Sequence, residues 1–234
     1  MNRTGLYPST GAIKRSVPLY LSGLAACLLI MSLAYSAVDF DRLLKAFSQR
    51  WGVAAVPRFN SWRELVGGGA GVGEMEQLKR ANDFFNRQVS FGEDITIWNQ
   101  ADFWATPMET LGRGSGDCED FVIAKYFSLQ LMGMAPAKLR LTYVKAKIGG
   151  LNSTVSQAHM VLAYYAQPDA EPLVLDNLLG DIRPASRRPD LSPVFSFNSD
   201  GIWVAGGGQA KSSVDRLSRW KDLVARMQTE GFEL

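Results

Sequence analysis

Cysteine and histidine are scarce in this chain. There are two cysteines, Cys27 and Cys118, and one histidine, His159. An excess of one charge is also missing. Three of the 25 basic residues, Arg3, Lys14 and Arg15, precede the first long apolar run, which leaves 22 against 23 acidic residues beyond it. No basic patch of the kind that binds nucleic acid is expected. Internal repeats are absent, and low complexity is confined to glycine runs. The runs Gly67 to Gly69 and Gly206 to Gly208 lack a phosphate-loop pattern and read as loops. What remains is an ordinary globular composition, 47% hydrophobic and 21% charged. At 234 residues the chain is long enough for one well-packed domain.

The N-terminus has a positive region, Lys14-Arg15, followed by an apolar run from Val17 to Leu33. Small residues in Ala34-Tyr35-Ser36 suit a signal peptidase cutting after Ser36. An uncut membrane anchor competes, because the run nearly reaches bilayer-spanning length. Leu24-Ala25-Ala26-Cys27 also has the look of a lipoprotein box. Each reading exports the rest. The expected organisation is therefore residues 1–36 as signal or anchor and 37–234 as one domain outside the cytoplasm, touching a membrane only through an uncut N-terminal segment. That domain carries one thiol, Cys118, with no partner for an internal disulfide.

Apolar spacing predicts helices over 39–50, 61–66, 74–90, 117–132 and 213–229. Gly67 to Gly71 reads as a flexible loop. Thr106-Pro107-Met108-Glu109 is a helix start with a capping threonine, a first-turn proline and a glutamate three residues after the cap. Strands are expected at 139–147, 158–165, 172–176, 194–197 and 202–204. The second is apolar on both faces and should be central. Helices first and an antiparallel sheet afterwards give an α+β fold.

Cys118 falls in the first turn of the 117–132 helix, after Gly114-Ser115-Gly116. Free N–H groups at a helix start favour an anion, so they stabilise a thiolate and can hold an oxyanion. The plain alternative is a buried structural cysteine. His159 and Asp176 lie 17 residues apart across a hairpin. A turn centred between Gln167 and Pro168 would set them directly opposite, with Cβ atoms about 4.5–5.5 Å apart. The carboxylate could then hold one ring nitrogen while the other serves the thiol. Asn177 is the competing orienter, and only one of the two neighbours can point to that face.

Gly116-Asp117-Cys118-Glu119-Asp120-Phe121, Gln157-Ala158-His159-Met160-Val161-Leu162 and Leu175-Asp176-Asn177 together resemble the bacterial transglutaminase-like cysteine proteases. The resemblance runs from about Phe40 to Phe197. It implies a papain-like or transglutaminase-like core with N-terminal helices packed on an antiparallel sheet. Cys118 is then the nucleophile, His159 the general base and later acid, and Asp176 the orienter. The likeness is to the periplasmic members. It implies cleavage near the N-terminus of a large surface adhesin at a small-residue site such as Ala-Ala. Control by an inner-membrane receptor that senses cyclic di-GMP is implied as well.

Asp117, Glu119 and Asp120 surround Cys118 with negative charge, which opposes a thiolate. The residues alone leave two readings open, helix capping or ligands for a hard cation. The resemblance implies the second, with calcium as the cofactor. In Ile97-Trp98-Asn99-Gln100-Ala101-Asp102-Phe103-Trp104, Trp104 is the candidate partner anchor, against a plain role in the core. Three functional classes follow: a calcium-dependent cysteine endopeptidase, a transglutaminase or other amide acyl-transferase with the same triad, and a non-enzymatic adhesin- or receptor-binding module.

Overall fold

The computed structural model describes Met1 and residues 38–150, 152–204 and 213–232. The expected signal or anchor with Cys27, and the glycine run at 206–208, lie outside the described residues. Among the described residues no helix is long and apolar enough to cross a membrane.

Three helices open the domain. α1 (Phe40–Trp51) is capped by Asp39, whose carboxylate accepts the Asp41 and Arg42 N–H groups at 3.2 and 3.0 Å. It turns Leu43 and Phe47 inward. α2 (Val56–Gly69) is longer at both ends than its apolar spacing predicts. Gly67 to Gly69, expected as loop, form its last turn. The cause is tertiary. A Cβ at position 69 would lie 2.5 Å from Met132 Cγ, so only glycine allows the contact. Gln77 then fixes the end by donating to the Gly69 and Met132 carbonyls at 2.9 and 3.0 Å. α3 (Glu74–Gln88) follows.

The stretch leading to the Cys118 helix is short and tightly tied. β1 (Ser90–Phe91), α4 (Asp94–Trp98), α5 (Pro107–Arg113) and β2 (Ser115–Gly116) precede α6 (Cys118–Leu131). β1 and β2 pair in parallel, with Phe91 opposite Gly116. Thr106 and Glu109 form the reciprocal capping box that their spacing predicts. α6 is apolar on nearly every side and packs against the sheet and α3, α5 and α2. Inside this layer Trp62 Nε1–H donates to Ser128 Oγ at 2.8 Å, which satisfies a buried indole.

The main sheet is antiparallel, in the order β6 (Arg183–Pro184), β5 (Leu173–Leu175), β4 (Ser156–Tyr164), β3 (Leu139–Lys147), β7 (Leu191–Asn198), β8 (Gly201–Val204). β4, expected to be central, is buried on both faces from His159 to Tyr164. The architecture is the expected α+β fold. α7 (Ser218–Glu230) closes the domain with Trp220, Leu223 and Met227 inward.

Glu230, at the end of α7, is an ionic weak point. Its Oε1 accepts from Arg50 Nη1 and Thr106 Oγ1, each at 3.0 Å, while its buried Oε2 has no partner. Burial pushes its carboxyl up to about 7, helped by the charge of Glu109 and opposed by Thr106 and the two arginines Arg50 and Arg226. The folded pKa exceeds the usual 4.5, so the stabilising form is the protonated one. Its contribution is complete below about 4.5 and is lost as pH rises through about 7. The full shift corresponds to at most about 3 kcal/mol. Glu230→Gln should therefore flatten the fall in melting temperature between pH 5 and 8, which thermal unfolding by circular dichroism would detect.

Candidate active site

α6 places Cys118 at its first position, with Asp117 as N-cap. Asp117 Oδ1 accepts the Glu119 and Asp120 N–H groups at 3.1 and 3.4 Å, and the Phe121 N–H goes to the Asp117 carbonyl at 3.2 Å. Two of the amides expected for an oxyanion are thus spent on the cap. The N–H of Cys118 itself is left for that task.

The thiol is partly buried beside β4, where the Met160 N–H points at it. It donates to Glu119 Oε2 at 2.7 Å. Burial pushes the Cys118 thiol far up, and the charge and hydrogen bond of Glu119 and the charge of Asp117 push the same way. Only the Met160 amide opposes them. The helix start alone does not make this thiol a thiolate.

His159, next in chain to Met160, is buried, and its Nε2 lies 2.8 Å from Asp176 Oδ1. The pairing differs from the expected register. Leu162 faces Leu175, so Asp176, just beyond β5, aligns with Val161 and lies diagonal to His159. Period-two alternation keeps both side chains on one face, so the contact survives a two-residue shift. Asn177 does not share that contact.

Asp176 is held by more than the imidazole. Oδ1 also accepts the Leu178 N–H at 3.0 Å, and Oδ2 accepts Arg188 Nη2 at 2.7 Å. Burial raises its carboxyl, but His159, the Leu178 amide and Arg188 outweigh burial and hold it at about 2. Arg188 is buried too and forks onto Asp190 at 2.7 Å. No spacing in Arg187-Arg188-Pro189-Asp190 singles it out in advance.

The acidic cluster departs from the expected set of Asp117, Glu119 and Asp120. Asp94, Asp117 and Asp120 offer oxygens that all lie within 4.8 Å of one another. Glu119 instead meets the thiol, because successive first-turn side chains of a helix project in different directions. Asp94 comes from α4, a helix too short to show a period, and no local motif links it to Asp117. The cluster suits a hard cation. Asp94 Oδ1 and Asp120 Oδ2 are buried without a partner. Gly116 keeps the space open, since a Cβ there would lie 2.8 Å from Asp120 Oδ2. Asp94 Oδ2 and Asp120 Oδ1 are meanwhile anchored by the Phe103 and Ala105 N–H groups at 2.5 and 2.7 Å. Burial raises all three carboxyls, and mutual repulsion with Glu119 adds to it; Asp117 reaches about 9. Without a cation, protons must supply the missing positive charge.

Trp104, the candidate partner anchor weighed against a plain role in the core, is only 4% exposed. It stacks on Phe197 at 5.6 Å and belongs to the core, because the segment leading into α5 folds under the sheet. Phe91 and Ile95 are the exposed apolar side chains of this region.

A comparison against curated protein sequences gave no match. Three structures of Legionella pneumophila LapG are similar at 37% identity, each covering 81% of this chain. One has a TM-score of 0.69 and is covered over 98% of its length. An EGTA-treated form has a TM-score of 0.71 and 98% coverage. A calcium-bound form has 0.70 and 99%. The family model for the bacterial transglutaminase-like cysteine proteinase BTLCP matches residues 70–190, a span that includes the acidic cluster, Cys118, His159, Asp176 and Arg188. On this family match and these structural likenesses, the chain belongs to the bacterial transglutaminase-like cysteine proteinases.

Proposed function

We propose that the protein is a calcium-dependent periplasmic cysteine endopeptidase using Cys118, His159 and Asp176. Its substrate is the N-terminal region of a large cell-surface adhesin, whose cleavage releases the adhesin and disperses a biofilm. An inner-membrane receptor that senses cyclic di-GMP restrains it. The observation that carries the catalytic part is the buried 2.8 Å contact between His159 Nε2 and Asp176 Oδ1, on the strand whose next amide faces the Cys118 thiol. The adhesin, the receptor and the periplasm rest on the motif resemblance drawn from the sequence.

Asp176 accepts Nε2–H and so fixes the tautomer in which Nδ1 is the free base. His159 Nδ1 takes the thiol proton as Cys118 Sγ attacks the scissile carbonyl carbon. The C–S bond forms, and the carbonyl electron pair moves to oxygen, where the Cys118 N–H stabilises it. As the oxyanion collapses, the C–N bond breaks and imidazolium gives its proton to the leaving amine. Water then attacks the thioester carbonyl as His159 takes its proton; on collapse the C–S bond breaks, the carboxylic acid product leaves, and imidazolium returns the proton to Sγ. Asp176 stays ionised throughout, since the hydrogen bonds of His159, the Leu178 amide and Arg188 hold its carboxyl below the usual range. Calcium is the ion suggested for the cluster, because a LapG structure carries it. Asp94, Asp117 and Asp120 would hold it, and bound there it supplies positive charge that lets these carboxylates ionise beside the nucleophile.

Incubating the full chain with the adhesin N-terminus and calcium should give one specific cut, absent in Cys118→Ala and His159→Ala. Asp176→Asn should lower kcat on the order of 100-fold or more, since the tautomer and orientation of His159 are lost. Incorporation of an added amine in place of hydrolysis would favour the acyl-transferase instead, and binding without turnover the non-enzymatic module.

EGTA should abolish cleavage, and added calcium should restore it. Asp94→Asn should weaken calcium binding by at least about 10-fold in titration calorimetry. Calcium affinity unchanged in Asp94→Asn would remove Asp94 from the site.

A further inference from the structure

Lys125 is a charged side chain in the middle of the core, fully buried. It lies seven residues after Cys118 on α6. That is close to two turns, so both side chains leave the same face of the helix. Its Nζ donates to Asn82 Oδ1 and to Asn86 Oδ1, both at 2.8 Å. Each asparagine hands the connection on. Asn86 Nδ2 donates to the Asp176 carbonyl at 2.8 Å, and Asn82 Nδ2 donates to the Gly180 carbonyl at 2.7 Å.

The arrangement has a direction. An ammonium can only donate, so it compels both amides to present oxygen to it and nitrogen to the loop. The loop from Asp176 to Gly180 is thereby held at both ends by α3. One buried cation joins three parts of the chain: the nucleophile helix, α3 and the loop that begins with the orienting carboxylate. A buried lysine with neutral partners is costly to keep. Burial pulls Lys125 down to about 7, and the negative charge of Asp176 works against that. A methionine or leucine at this position would bury no charge, but it would leave the oxygens of Asn82 and Asn86 without their donor.

We propose that Lys125 is a positioning residue of the active site, which acts through Asn86 and Asn82 to hold Asp176 in line with His159 relative to the helix that carries Cys118. The inference rests on the reading of Cys118, His159 and Asp176 as the triad. Around Asp176 the charged groups are His159 from β4, Arg188 and its second partner Asp190 from the segment between β6 and β7, and Lys125 from α6. His159 and Arg188 grip its carboxylate. The Lys125 relay grips its main chain, through the Asn86 amide on the Asp176 carbonyl.

His159 is the chain's only histidine, so its ring signals can be read in the full protein without assignment. Proton–nitrogen NMR should show a low-field Nε2–H proton from the bond to Asp176, lost in Asp176→Asn. In Lys125→Met this proton should move upfield or exchange away, while the amide spectrum stays native. Iodoacetamide labelling of Cys118, in a Cys27→Ser background, should slow by about 10-fold or more, as it should in Asp176→Asn. Asn86→Asp decides the matter if Lys125→Met does not fold. It keeps an acceptor for the ammonium but loses the donor to the Asp176 carbonyl, so it should disturb the same proton. A native Nε2–H signal and native labelling rate in whichever variants fold would overturn the proposal. If the parent itself lacks the low-field proton, or Asp176→Asn leaves it unchanged, the triad reading fails first and takes the proposal with it.

Discussion

Charge is hard to bury, and the start of α6 buries a great deal of it. Asp94, Asp117 and Asp120 bring oxygens within 4.8 Å of one another, and Glu119 rests on the thiol beside them. Four carboxylates cannot all stay ionised in so small and dry a volume. Positive charge must come from bound protons or from a cation. This requirement organises the neighbourhood. The Phe103 and Ala105 amides anchor one oxygen each of Asp94 and Asp120, which leaves the other oxygens facing a common space. Gly116 is small because that space must stay open. The parallel pairing of Phe91 with Gly116 brings the α4 segment to the start of the Cys118 helix.

Across the site the balance is reversed. Asp176 is surrounded by His159, Arg188 and the more distant Lys125, and it is held at about 2 while Asp117 is raised to about 9. Two aspartates near one thiol are driven apart by their environments, and that difference separates their roles. An aspartate that is always ionised can orient an imidazole and stabilise its protonated form. One that holds its proton without a cation can respond to the arrival of one. The Cys118 thiol lies between the two regimes, with Glu119 opposing its ionisation and the Met160 amide favouring it.

The elements set by local chemistry were legible in the sequence. The Thr106–Glu109 capping box, the buried face of α6 and the alternation of β3 each depend on neighbours in the chain. The Cys118 and His159 segments were legible because each residue type is so rare that little choice remained. Features fixed by distant packing were not. Gly67 to Gly69 are helical because Met132 closes on Gly69. Trp104 is in the core because Phe197, far along the chain, stacks on it. Asp94 joins Asp117 through strand pairing that spans only two residues on each side, too short to leave a pattern. Arg188 and Lys125 look like ordinary basic residues until the fold buries them.

The hairpin shows why two side chains can meet despite an inexact register. Moving the turn centre by one residue shifts every cross-strand pair by two. The face of the sheet is preserved, since alternation has a period of two. His159 and Asp176 therefore stay on one side whether they are opposite or diagonal, and the imidazole is long enough to close the difference. A one-residue shift would have put Asn177 on that face and Asp176 on the other. Parity, then, selects which side chain meets His159, and the exact pairing only sets how it reaches. What the register leaves loose, the contacts of Asp176 with Arg188 and of its main chain with Asn86 make rigid.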